Sequence, residues 1–124
     1  MTNELLEFLR DVAADLNLNG APLPQTTVDD LAHCQEMLQE IFARYEPPAP
    51  AGAESVREAM MEALEALFQS IELLLILSDA GAEAELDAAQ LRRAVDLAEE
   101  GSDLLEQVEY LIAESKTSLH TIVP

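Results

Sequence analysis

The sequence has no tryptophan, a single cysteine and only six lysines and arginines. Each scarcity excludes something. Cys34 has no second cysteine to pair with, so no intrachain disulfide forms, which suits a reducing compartment. Aromatic residues make up 4% of the chain, so a core must come from Leu, Ile, Val, Ala and Met, a palette that favours helices over sheets. Six basic residues against 25 acidic ones leave a formal net charge of -19. So few cations cannot neutralise a phosphate backbone or hold an anionic membrane, and both direct nucleic-acid binding and membrane adhesion are excluded. The four glycines, at 20, 52, 81 and 101, are isolated, so no Gly-rich loop cradles a phosphate. The opening "MTNELLEFLR" sets Glu4 and Glu7 where a secretory signal would be basic and then apolar, and the expected location is cytoplasmic.

What is present is apolar: 49% of the residues. That content separates the chain from disordered acidic sequences, which lack the surface needed to offset ordering entropy. At 124 residues it has room for one domain with its own core, expected over 1–115, with 116–124 as a flexible tail.

Periodicity and punctuation predict four helices. The first runs from Asn3 to Leu16 with Leu5, Leu9, Val12 and Leu16 on one face, and stops in "NLNGAPLP". The second opens at a capping box formed by Thr26 and Asp29, or Thr27 and Asp30, and reaches Tyr45 with Leu31, Cys34, Leu38, Ile41, Phe42 and Tyr45 inward. The "EPPAPAGAES" segment suits a semi-extended crossover between two hairpins. The third starts with Ser55 and Glu58 as a capping box and continues to Asp79, with Gly81 beyond it. The fourth begins near Asp87, or as early as Ala82, and ends near Ser115. Its seam is Leu91, Ala94, Ala98, Gly101, Leu105, Val108 and Ile112 at heptad spacing. The expected architecture is all-α, an antiparallel four-helix bundle of two hairpins joined by the Pro/Ala-rich linker. A three-helix core with a mobile first helix is the alternative.

One stretch exceeds what an amphipathic helix needs. Val56, Met60, Leu64, Leu67, Ile71 and Leu74 already supply a core face for helix three, while the polar stripe Glu58, Glu62, Glu65, Gln69, Glu72 is broken at Ile76. Leu73, Ile76 and Leu77, with the second apolar row Leu97, Leu104 and Leu111 on helix four, are therefore interface candidates. The bland explanation is a central helix touching three neighbours; self-association as a homodimer is another. A membrane span is excluded by length, since Glu72 and Asp79 bracket only six residues.

No catalytic residues stand out. Asp29, His33, Glu36 and Glu40 share one helix face and are the weak candidates for a metal, against the plain reading of a solvated face. Cys34 with His120 has the composition of a nucleophile and base, but Cys34 lies on the apolar face and His120 in the tail. No cofactor is expected. Helix four carries Asp96, Glu99, Glu100, Asp103 and Glu106, an acidic surface with few cations to balance it.

The expected function is a non-enzymatic protein-binding module that takes a partner helix or basic segment, as an adaptor or chaperone. In its profile of size, acidity and helicity the chain resembles type III and flagellar secretion chaperones, a likeness carried by no family motif. The alternatives are a nucleic-acid mimic that inhibits a DNA-binding protein, and a metal-binding helical protein built on the His33 face.

Overall fold

The computed structural model describes residues 2–47, 52–79 and 87–122, with side chains over 4–47, 52–79 and 87–114. These hold four helices and no strand: α1 (Thr2–Asn19), α2 (Gln25–Tyr45), α3 (Glu54–Asp79) and α4 (Ala88–Ile122). Gly81, an α4 start at Ala82, and the His120 side chain lie outside the described residues.

Helix ends follow local chemistry, though not always the chemistry expected. Gly20 takes φ +74° and its N–H donates to the Leu16 carbonyl at 2.8 Å, so α1 closes on a left-handed cap that suits glycine. Asp87 caps α4, its Oδ1 accepting from the N–H groups of Ala89 and Gln90 at 3.0 and 3.3 Å. Neither threonine box at the start of α2 forms. Pro24 occupies the cap with extended backbone and no side-chain bond, and the helix enters at Gln25, ahead of both threonines. The Ser55 box is displaced in the same way, because α3 begins at Glu54, whose Oε2 accepts from the Gly52 N–H at 3.0 Å. At its far end α4 stays helical through Ile122, beyond the helix end expected near Ser115.

Helix α3 is central. It packs most extensively on α4, then on α2, and touches α1 as well. Its contact with α4 is close because the facing residues are small: Ala59, Ala63, Ala66 and Ser70 on one side, Ala94, Ala98, Gly101 and Ser102 on the other, all buried. The buried Ser70 hydroxyl donates to the Ala94 carbonyl at 2.6 Å, and Gly101 lies against Ala63 and Leu67, so positions rise along one helix as they fall along the other.

The pairing of α1 with α2 is at most a minor contact. Chain neighbours though they are, α1 packs instead on α4, as extensively as α2 packs on α3. Leu9, Val12, Ala13 and Leu16 bury the inner face of α1, while α2 buries only Leu31 and Leu38. The loop between them is tied to the end of α3 by the Leu23 N–H, which donates to Ser78 Oγ at 2.9 Å in a buried site. The linker is tied by Arg57, whose Nε donates to the carbonyls of Tyr45 (2.7 Å) and Pro47 (3.1 Å) and whose second nitrogen donates to that of Glu46 (2.7 Å). Those bonds satisfy carbonyls that the end of α2 leaves open.

The seam of α4 is correct from Leu91 to Val108 and fails at Ile112, which is 38% exposed. Contacts of Ser70 with Ala94 and of Ala63 with Gly101 place Glu54, where α3 begins, beside Tyr110. Beyond that point α4 has outrun α3, and Ile112 is left partly exposed.

Candidate functional site

The greasy end of α3 resolves into two parts. Leu74 and Leu77 are buried and Leu73 and Leu75 half-buried, as befits a helix with neighbours on several sides. Leu77 is therefore core and not interface. Ile76 is different: at 55% exposure it breaks a polar stripe without gaining a partner helix.

Of the other interface candidates, Leu97, Leu104 and Leu111 are half-buried. Leu73, Ile76 and Leu97 come together with Arg93 and Glu72 around a shallow hollow of about 210 Å³ on the α3–α4 side. Leu104 instead borders an acidic hollow of about 410 Å³ on α4, walled by Asp96, Glu99, Glu100 and Asp103. Glu106 is exposed but does not line it. The only ion pair among the described residues touches this face, Arg10 with Glu99 at 3.0 Å, and both side chains are nearly half exposed, so it is worth little.

The larger apolar feature lies between α2 and α3, where sequence periodicity had not singled out a site. Since α2 contributes so few residues to the core, its half-buried Phe42 and the half-buried Phe68 of α3 border an open cleft of about 440 Å³ with Leu38 and Leu64. A second hollow of about 500 Å³ continues toward the end of α3, bordered by Phe68, Val28, Leu75 and Ile76. The two adjoin at Phe68 and together border α3 from Leu64 to Asp79, here called the α2–α3 groove. Its signal in the sequence was faint: Phe42 was placed on the apolar face of α2 while Phe68 was not singled out, and nothing local says that a face is incompletely covered.

Asp29, His33, Glu36 and Glu40 are all exposed along α2. Strung on one helix over about 16 Å, they do not converge; among the described residues no group of three or more His, Cys, Asp or Glu is placed to hold a metal ion. Asp29 accepts instead from Gln25 Nε2 at 3.0 Å. Cys34 is half-buried, and burial pushes its thiol above the ordinary value, with the Asp30 carboxylate adding to the effect. That is the reverse of what activates a nucleophile. Among the described residues no helix is long and apolar enough to cross a membrane. No family model, no curated protein and no solved structure matches this chain.

Proposed function

We propose that the protein is a non-enzymatic binding module, an acidic antiparallel four-helix bundle that docks a protein partner in the manner of an adaptor or chaperone. The observation that carries this reading is the α2–α3 groove: an open channel bordered by Phe42, Phe68 and Ile76 in a strongly acidic chain. Exposed apolar surface of this kind, rimmed by charge, is what protein-binding sites present. Helix-in-groove docking is the mode that fits two parallel-sided helical walls.

A pull-down from host lysate at low salt, followed by a wash at about 1 M NaCl, where the Debye length falls to ~3 Å, tests it. A protein partner that survives the wash with the native chain and is lost with Ile76→Glu supports an apolar docking surface. Recovery of nothing beyond the control bait sinks the reading.

The nucleic-acid-mimic reading keeps one observation in its favour, the α4 hollow in which Asp96, Glu99, Glu100 and Asp103 converge with Arg10 as the only cation paired among the described residues. A DNA-binding partner released by the salt wash, and insensitive to Ile76→Glu, would put that face first.

A further inference from the structure

We propose that the α2–α3 groove seats a cationic amphipathic helix of a partner protein, one with Lys or Arg at seven-residue intervals on the flank that faces α3; this rests on the binding-module reading and supplies its ligand chemistry. Three features of the groove converge on that occupant.

The first is length. The groove follows α3 from Leu64 to Asp79, about 22 Å at ~1.5 Å per residue, which is four turns of a helix laid alongside. Leu38, Phe42, Leu64 and Phe68 line its first part and Val28, Leu75 and Ile76 its second, so apolar side chains are offered to a hydrophobic stripe along its length.

The second is the charge on one rim. Along α3 the groove is edged by Glu65, Glu72 and Asp79, all exposed and each seven residues from the next, so a carboxylate recurs about every 10.5 Å. Two helices packed side by side keep a fixed residue offset through each seven-residue repeat, and charges flanking the apolar seam then choose partner and register. A docked helix with cations at the same interval meets all three carboxylates at once. Each exposed pair adds little energy; the set supplies specificity and register, while the apolar lining supplies affinity.

The third is asymmetry. The α2 rim presents neutral Gln25, Gln35 and Gln39 before Glu46 at its end, and among the described residues no Lys or Arg lines either part of the groove. The cations of the occupant therefore belong on the α3 flank alone. The same inventory argues against a second copy of this chain, which would bring a net charge of -19 against another -19 with only six cations of its own.

The test uses the full chain and a labelled synthetic helix of about 21 residues, with a Leu seam, Lys at i, i+7 and i+14 on one flank and Gln elsewhere. Its control is an isomer of identical composition with the three Lys moved to the face opposite the seam. Two triple variants carry the same change in net charge at exposed positions: Glu65→Lys/Glu72→Lys/Asp79→Lys on the rim and Asp96→Lys/Glu100→Lys/Asp103→Lys on α4, each checked for helicity by circular dichroism. Fluorescence anisotropy at about 0.1 M NaCl, Debye length ~10 Å, reads the affinities.

Saturable binding of the heptad peptide is expected, weakened about tenfold or more by the rim triple and less than about threefold by the α4 triple, with the isomer also about tenfold weaker. Three results overturn the proposal: no binding of the heptad peptide, equal losses in the two triples, or a chain that dimerises by sedimentation through the groove and loses that dimer in the rim triple. If a partner recovered from lysate binds both triples alike, the groove assignment fails while the binding-module reading stands. If the lysate yields no partner, the module reading fails whatever the peptide does.

Discussion

A Cβ added to Gly101 would stand 2.6 Å from Cγ of Leu67 and 3.1 Å from the carbonyl oxygen of Ala63, so the Leu67 side chain would have to shift and the Ala63 backbone to give a little. Here α3 and α4 approach closely enough that even a methyl group crowds the contact. In an open helix the change Gly101→Ala gains about 1 kcal/mol of propensity. In this protein the overlap outweighs that gain, and Gly101→Ala should destabilise by about 1–2 kcal/mol net. In a Leu67→Ala background the penalty of the same change should shrink, since the closest atoms it strikes are gone and only the Ala63 carbonyl oxygen remains near. Urea titration of the four chains of this double-mutant cycle reads the coupling; purely additive effects would show that Gly101 does not set the helix spacing.

Arg57 holds the carbonyls of Tyr45, Glu46 and Pro47 with one guanidinium. Its removal in Arg57→Ala should cost about 1 kcal/mol, toward the low end for charged hydrogen bonds because most of this set is exposed. Lysine keeps the charge but not the fork, so Arg57→Lys should recover less than half of the loss. Hydrogen exchange should quicken in the last turn of α2 and leave the middle of α3 unchanged; unaltered exchange at 42–45 would remove the tether from the account.

Cys34 should be a slow nucleophile. With its thiol pushed up by burial and then by Asp30, the iodoacetamide rate in the folded chain should rise with pH along a curve displaced above that of the urea-unfolded chain. Linkage has a definite sign. A thiol whose folded pKa is raised contributes stability below the unfolded value, ordinarily about 8.5, and loses it as pH climbs through that value toward the folded one. Between those limits Cys34→Ala should flatten the decline seen in the native chain. Coincident alkylation curves would count against both statements.

Salt should stabilise the fold. With a net charge of -19 and one exposed ion pair between described side chains, added NaCl screens far more repulsion than attraction. The melting temperature should rise between about 0.02 and 0.5 M NaCl, where the Debye length shrinks from roughly 20 to 4 Å. Arg10→Ala should alter it by no more than the equivalent of about 0.5 kcal/mol. A melting temperature that falls over this range would mean that the ion pair, and not the repulsion, dominates.

Much of the fold was legible because the helices carry their own signals. Leu9, Val12 and Leu16, or Leu64, Leu67, Ile71 and Leu74, recur at helical spacing and are all buried. Gly20 ends α1 within the expected "NLNGAPLP" stop, though the helix runs past Leu16 to Asn19, and Asp87 caps the start of α4. The two capping boxes were misread for a common reason. Cap motifs describe a helix that starts at the motif, whereas Pro24 and Glu54 start α2 and α3 earlier with their own backbone and carboxylate geometry. The candidate site was legible only in its pieces. Ile76 stood out as a break in a stripe, but Phe42 looked like an ordinary core residue and Phe68 carried no signal of its own.

By itself, then, the sequence determined how many helices form, which face of each is apolar, and that the surface is acidic, because propensity, periodicity and charge act over a few residues. The tertiary structure decided which faces are covered. Small residues at Ala63, Ala94, Ala98 and Gly101 let α3 and α4 close on each other, and α1 joined α4 in preference to its own hairpin partner. That choice left α2 with a single main neighbour and the groove beside Phe68 open, an outcome fixed by competition among whole helix faces over which no local signal has control.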